Sequence, residues 1–163
     1  MAPIKAIALD VDGVLTDGSF VWGPDDAEFK SFSFRDVMGI SLAKRAGVMF
    51  ALISGEASPL VDRFARKMGI ESVYKGCKDK AAALEDFACS SGLLMEEICF
   101  VGDDVNDLPA FAIVGLAAAP ADAHPSVRLE AGYVARAGGG HGAVREIVDH
   151  ILGGSLSAAG ISE

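Results

Sequence analysis

Short apolar runs alternate along the chain with segments whose apolar residues recur every three or four positions. Ile4–Leu9, Met49–Ile53, Ile98–Val101 and Leu116–Ala118 are near-continuous apolar runs of strand length, with shorter ones at Val73–Tyr74 and Tyr133–Val134. Runs of this kind predict strands buried on both faces. Between them, Leu60, Val61, Phe64, Ala65 and Met68 recur at helical spacing. Ser58 is the expected N-cap of that helix, with Pro59 at its first position and Gly69 just past its end. Ala83, Leu84, Phe87 and Ala88 predict another helix that stops near Gly92, and Val144, Ile147, Val148 and Ile151 a last one. Strand–helix alternation with apolar strands predicts an α/β fold: an open, three-layer, Rossmann-like parallel sheet. No internal repeat or linker is visible, so 1–152 reads as one domain and 153–163 as a C-terminal tail.

One segment breaks the rhythm. Residues 18–34 read as an inserted β-hairpin, because aromatic residues flank a turn signal, Gly23-Pro24-Asp25-Asp26. Phe20, Trp22, Phe29, Phe32 and Phe34 account for five of the chain's nine Phe and one Trp. Such a concentration is consistent with packing on the chain's own domain or with burial against another subunit.

Composition narrows the functions available. The chain has 163 residues, 51% hydrophobic and 23% charged, which suits one domain with a proper core. Its net charge of −9 and lack of a basic run argue against a nucleic-acid surface, which needs Lys and Arg to neutralise phosphates. A small phosphorylated substrate stays open, since a bound cation supplies positive charge locally. No apolar run reaches the roughly 20 residues of a membrane span, and the N-terminus does not read as a secretory signal. Cys77, Cys89 and Cys99 lack metal-ligand spacing and read as reduced, mostly buried small hydrophobes, so a cytoplasmic address is expected.

The candidate chemistry sits where strands end. The first strand runs into Asp10-Val11-Asp12-Gly13-Val14-Leu15-Thr16-Asp17, and Ile98–Val101 runs into Gly102-Asp103-Asp104-Val105-Asn106-Asp107. Ser54-Gly55 follows Phe50–Ile53, and Lys80 opens a helix. A lone acidic strand end is usually a helix cap; four polar sites at strand and helix ends, in this order, call for another explanation. A phosphomonoester dianion repels nucleophiles, so its charge must be neutralised and its attacker held in line. Asp10 is suited to attack phosphorus and form an acyl phosphate. Asp12, two residues on, is suited to protonate the leaving oxygen and then deprotonate water. Asp103 can join Asp10 on a hard cation, with Mg²⁺ the natural choice. Ser54 and the Gly55 amide can hold phosphoryl oxygens that Lys80 neutralises.

Taken together, Asp10-x-Asp12-Gly13-Val14-x-Thr16, the strand ending Ser54-Gly55, Lys80 and Gly102-Asp103-Asp104-x-x-Asp107 resemble the motif series of the haloacid dehalogenase-like phosphatases. That resemblance implies Asp10 as nucleophile, Asp12 as acid and base, and Ser54 and Lys80 on the phosphoryl group. It also implies a magnesium site made by the Asp10 carboxylate, the Asp12 backbone carbonyl and Asp103, with Asp107 supporting and Asp104 a weaker candidate. Asp36-x-x-Gly39-Ile40 and the loop Gly138-Gly-Gly-His-Gly-Ala-Val-Arg-Glu146 extend the likeness to the subgroup without a cap domain, from Ile4 to Leu152. That subgroup acts on 3-deoxy-octulosonate 8-phosphate or nonulosonate 9-phosphate sugar acids, as homotetramers whose hairpins pack together and whose neighbours complete each site.

Two positions bear on the substrate. Octulosonate 8-phosphate phosphatases usually carry Arg where this chain has Glu56, and Arg again where it has His141. Glu56 together with Lys67 resembles the branch acting on 2-keto-3-deoxynononate 9-phosphate, which is therefore the expected substrate, with the octulosonate 8-phosphate as the alternative. Glu56 also reads as a solvated carboxylate at a helix start, and His141 as an ordinary loop histidine. Two other classes share parts of the pattern: a phospho-receiver domain, and a non-catalytic phosphatase-like interaction module. Receivers place their phosphoacceptor in mid-chain, and an Asp two residues after Asp10 would hasten hydrolysis. The presence of Asp10, Asp12, Lys80 and Asp103 together favours a working enzyme.

Overall fold

A computed structural model describes residues 2–153; the predicted tail lies outside the described residues, apart from Gly153. Six parallel strands form the central sheet: β1 (Ala6–Leu9), β4 (Met49–Ile53), β5 (Ser72–Tyr74), β6 (Ile98–Val101), β7 (Leu116–Ala119) and β8 (Tyr133–Val134). Their spatial order is β5-β4-β1-β6-β7-β8. β2 (Val21–Trp22) and β3 (Glu28–Phe29) make a separate antiparallel hairpin. The helices are α1 (Phe34–Arg45), α2 (Pro59–Met68), α3 (Lys80–Ser91), α4 (Leu108–Phe111), α5 (Pro125–Glu130) and α6 (Ala143–Ile151).

The three layers follow from strand alternation, because successive side chains point to opposite faces. Ile7 and Leu9, Phe50 and Leu52, and Cys99 and Val101 meet α1, α2 and α6 on one face. Ala6 and Ala8, Ala51 and Ile53, and Ile98 and Phe100 meet α3, α4 and α5 on the other. Phe87 of α3 and Phe100 are fully buried there, and burying a side chain of that size contributes roughly 1.5–3 kcal/mol. The small side chains of Ala6, Ala8 and Ala51 lie beside the large ones of Ile53, Ile98 and Phe100 on this face.

Local signals set most helix ends where the sequence predicts them. The Ser58 side chain accepts from the Leu60 amide, Pro59 opens α2, and Gly69 closes it with φ 61°. Gly92 ends α3 with φ 68°. α1 is the element least visible as a pattern. Its inward face is Asp36, Gly39, Ile40 and Ala43, only one of them a large apolar side chain. A Cβ on Gly39 would stand 3.0 Å from the Arg145 backbone, so glycine is what allows α1 and α6 to approach. Buried Asp36 accepts from the Arg145 amide at 3.0 Å in the first turn of α6; burial pushes its carboxyl up against that pull.

Two expectations need correction. Phe34 belongs to α1, not to the hairpin, and Phe32 stacks on Phe64 at 4.4 Å between ring centroids. Phe32 is thus part of the chain's own core, while Phe20, Trp22, Phe29 and Phe34 stay exposed, Trp22 to 76%. Of the cysteines only Cys99 is buried, with Cys77 half-buried and Cys89 exposed on the outer face of α3; all three are free. Among the described residues no helix is long and apolar enough to cross a membrane.

Candidate active site

Strand order decides where chemistry can gather. β1 lies between β4 and β6, in register Leu9 with Leu52 and Leu9 with Val101. The loops leaving these three strands therefore emerge side by side, at the point where the order reverses and α/β sheets bind ligands. The Asp10 amide donates to the Val101 carbonyl at 3.0 Å, which sets Asp10 beside the start of the Gly102–Asp107 loop.

After Asp10 the chain turns tightly. The Val11 carbonyl accepts from the amides of Val14, Leu15 and Thr16, and Thr16 Oγ1 accepts from Gly13 and Gly18. This turn separates the two aspartates of the motif: Asp10 is buried, whereas the Asp12 side chain keeps 20% of its surface. Gly13 has φ +89°, and a Cβ there would stand 1.9 Å from Asp103 Oδ2. Glycine is required because the turn presses against the Asp103 carboxylate.

The buried charges form one cluster. Lys80, first residue of α3, reaches Asp10 Oδ2 at 2.9 Å and Asp107 Oδ1 at 2.5 Å. Asp10 Oδ1 accepts from the Val11 amide at 2.7 Å. Asp107 is fully buried and saturated, its Oδ2 accepting from the Asp103 and Asp104 amides. Asp104 is exposed and caps the short turn Val105–Asp107. Burial pushes the Asp10 carboxyl up, with Lys80 pulling it back and Asp107 adding to the rise. Asp103 is raised first by burial, then by the charges of Asp10 and Asp107. For Lys80, burial works against the charge, and Asp10 and Asp107 more than offset it.

This arrangement fits a divalent cation. Asp10, Asp103 and Asp107 bring carboxylate oxygens within 4.8 Å of one another. Three carboxylates with one ammonium leave negative charge uncompensated, and Asp103 Oδ1 is buried without a partner. An all-oxygen donor set suits Mg²⁺. Asp107 takes Lys80 on one oxygen and the Asp103 and Asp104 amides on the other, so it holds the loop and Lys80, while Asp103, with Oδ1 unpartnered beside Asp10, is the carboxylate left open to a metal.

The remaining predicted residues divide into near and far. Ser54 is buried, and its Oγ accepts from the Glu56 amide at 3.2 Å, shaping the turn in which Gly55 and Glu56 are exposed. His141 is exposed in the glycine-rich loop, which lies against the motif turn through a bond from the Gly140 amide to the Val14 carbonyl at 3.0 Å. Asp122 anchors that loop by accepting from the Gly139 amide. Lys67 is not part of this group. It sits exposed in the last turn of α2, about 12 Å along the axis from Pro59.

Sequence reasoning missed Lys30. Its ammonium pairs with Asp12 Oδ1 and Glu28 Oε1, and its side chain is 1% exposed. The one available signal is alternation in Glu28-Phe29-Lys30, where the aromatic faces out and the charges face in. A cleft of about 620 Å³ also opens at the amino ends of β4 and β5, lined by residues including Lys44, Phe50, Glu71 and Ser91. It gathers no cluster of carboxylates, so its volume does not make it the reactive site.

Comparison with known proteins agrees with this geometry. The haloacid dehalogenase-like hydrolase family matches residues 49–147. The chain is 40% identical over 149 residues to 3-deoxy-D-manno-octulosonate 8-phosphate phosphatase of Escherichia coli K12, covering 91% of this chain and 79% of that protein. It is also similar to the crystal structure of the Yersinia pestis phosphatase of that name, with a TM-score of 0.89, 39% identity and coverage of 91% and 80%. The Moraxella catarrhalis phosphatase of that name, solved with a magnesium ion, a phosphate ion and a KDO molecule, matches at TM-score 0.89, 34% identity, and coverage of 92% and 86%.

Proposed function

The chain belongs to the haloacid dehalogenase-like hydrolases, and from that premise we propose that it is a magnesium-dependent phosphatase cleaving 3-deoxy-D-manno-octulosonate 8-phosphate through an aspartyl phosphate. The observation that carries the reading is the meeting of Asp10, Asp103, Asp107 and Lys80 at the ends of adjacent strands, with one Asp103 oxygen unpartnered.

Asp10 attacks phosphorus as the bond to the sugar oxygen breaks, and Asp12 delivers a proton to that oxygen. Water then attacks the aspartyl phosphate while Asp12 takes its proton, which releases phosphate and restores Asp10. Lys80 and the Gly55 amide offset charge on the phosphoryl oxygens, and Ser54 keeps the Gly55 turn in shape. The Asp10 and Asp103 carboxylates, with the Asp12 carbonyl, would hold Mg²⁺, which supplies the positive charge that lets an anion approach a phosphate dianion.

The names of the relatives favour the eight-carbon sugar acid. The nine-carbon 2-keto-3-deoxynononate 9-phosphate, suggested by Glu56 and Lys67, is not the substrate those names carry, and Lys67, in the last turn of α2, would have to meet Glu56 from another copy of the chain. Phosphate release from both sugar acids, with and without a chelator, tests this directly. We expect kcat/KM to favour the eight-carbon substrate by about tenfold or more, the scale of one charge-assisted contact. Chelation should abolish both activities. A preference for the nine-carbon acid would overturn the substrate assignment and leave the phosphatase reading intact.

Assembly belongs to the same proposal. Four exposed aromatic rings in and beside the hairpin support burial against further copies of this chain in a homotetramer, in which Lys67 or His141 would serve a neighbour's site. Trp22→Ser combined with Phe34→Ser should shift light-scattering mass toward smaller species; an active wild-type monomer of about 17 kDa at micromolar concentration would refute it. The free thiols fit a cytoplasmic location.

A further inference from the structure

We infer that Lys30 is a positioning residue for Asp12: it fixes the carboxylate for proton transfer and ties it, through Glu28 and Ser58, to the N-terminus of α2, which follows Ser54 and Gly55 in the chain. The inference rests on the reading of Asp12 as acid and base.

The contacts run in a continuous line across three separate parts of the sequence. Lys30 Nζ meets Asp12 Oδ1 and stands 3.5 Å from Glu28 Oε1. Glu28 Oε2 accepts from Ser58 Oγ at 2.9 Å, and Ser58 Oγ accepts in turn from the Leu60 amide at 3.2 Å as the cap of α2. The Phe20 ring lies 5.4 Å from the ammonium, close enough for a cation–π contact. Glu28 of β3 and Lys30 directly after it thus turn two charges inward, with the Phe20 ring over the ammonium.

An ordinary surface ion pair is not what these residues form. Exposed pairs contribute little because water screens them, but the Lys30 side chain is almost wholly buried. Burying an ammonium is costly, and an apolar residue would attach the hairpin more cheaply. What Lys30 adds is direction. A general acid must stand within about 2.6–3.2 Å of the oxygen it protonates, and Asp12 sits on a turn with two side-chain torsions to settle. With Oδ1 engaged by Lys30, Oδ2 is the oxygen left to give and receive the proton.

The test compares leaving groups. Lys30→Met, Lys30→Arg, Glu28→Gln and Asp12→Asn are assayed in Mg²⁺ by single-turnover release of the leaving alcohol. The substrates are 3-deoxy-D-manno-octulosonate 8-phosphate and p-nitrophenyl phosphate. A sugar alkoxide needs the proton; nitrophenolate hardly does. Lys30→Met should slow sugar release by about 10- to 100-fold, part of the 10²–10⁴ that general acid–base catalysis supplies, with a clearly smaller loss on the aryl ester. Lys30→Arg should recover part of the sugar rate, and Glu28→Gln should show the same selective loss in milder form. Equal losses on both substrates, or an unchanged ratio in Lys30→Met and Glu28→Gln, would overturn the inference. If Lys30→Met melts early, Glu28→Gln alone decides by the same ratio. Should Asp12→Asn slow sugar release while both hairpin variants keep the wild-type ratio, only the positioning role fails. Should Asp12→Asn itself leave sugar release unchanged, the acid–base reading fails with it.

Discussion

Asp10→Asn should abolish phosphate release, lowering turnover by about 10⁴-fold or more, the scale on which essential nucleophiles act. The substitution keeps the shape of the side chain and removes the anionic oxygen that attacks phosphorus. It also replaces an acceptor with an amide whose N–H group must face either Lys80 or the Val11 amide, both of them donors. Stability should change far less than activity, because burial already disfavours the Asp10 charge and Lys80 keeps Asp107 as a partner. Single-turnover kinetics alongside thermal melting separates the two effects. A variant that keeps a tenth of wild-type turnover removes Asp10 from the nucleophile's role.

Lys80→Met should damage both properties at once. Lys80 is the cation that faces Asp10 and Asp107 inside a cluster where all three side chains are nearly or fully buried. Breaking a buried pair by removing one partner costs about 3–5 kcal/mol, since the other charge is left uncompensated. For a chain of this size that corresponds to a fall in melting temperature of roughly 10 °C or more. Mg²⁺ should restore part of the loss by binding the folded state, a shift visible in melts with and without the ion. Turnover should fall by about 10²–10³, the scale for one charge-stabilising donor. An unchanged melting temperature together with activity within tenfold of wild type would mean that Lys80 holds neither the cluster nor the phosphoryl group.

Much of the site is legible in the sequence because its signals are local. Asp10 and Asp103 follow apolar strands directly, and a strand's direction carries the next residue to the carboxyl edge of the sheet. Ser58, Gly69 and Gly92 mark helix ends through their own side-chain hydrogen bonds or left-handed backbone. The short length of each continuous apolar run, set against the three-to-four spacing of the segments between them, distinguishes buried strands from helices. Resemblance to a known motif series adds roles to these positions, and the family match agrees with it.

Other features depend on which surfaces meet. The inward face of α1 carries Asp36, Gly39, Ile40 and Ala43, a set with no apolar period, because it is matched to the backbone of α6. Phe32 and Phe34 are neighbours in an aromatic segment, yet one is stacked on Phe64 and the other is exposed; alternation alone does not say which face will find a partner. Lys67 illustrates the converse, a residue grouped with Glu56 by resemblance and separated from it by the length of α2.

The central strands, the helix ends at Ser58, Gly69 and Gly92 and the acidic strand ends are legible along the chain, since each rests on backbone preference and periodicity over a few residues. Long-range packing sets β1 between β4 and β6, saturates Asp107 while leaving Asp103 with an unpartnered oxygen, and brings Lys30 to Asp12. Those partnerships join residues far apart in the chain. They are selected by the closure of the whole core and by the cost of leaving any buried charge or donor unpaired, which no short stretch of sequence records.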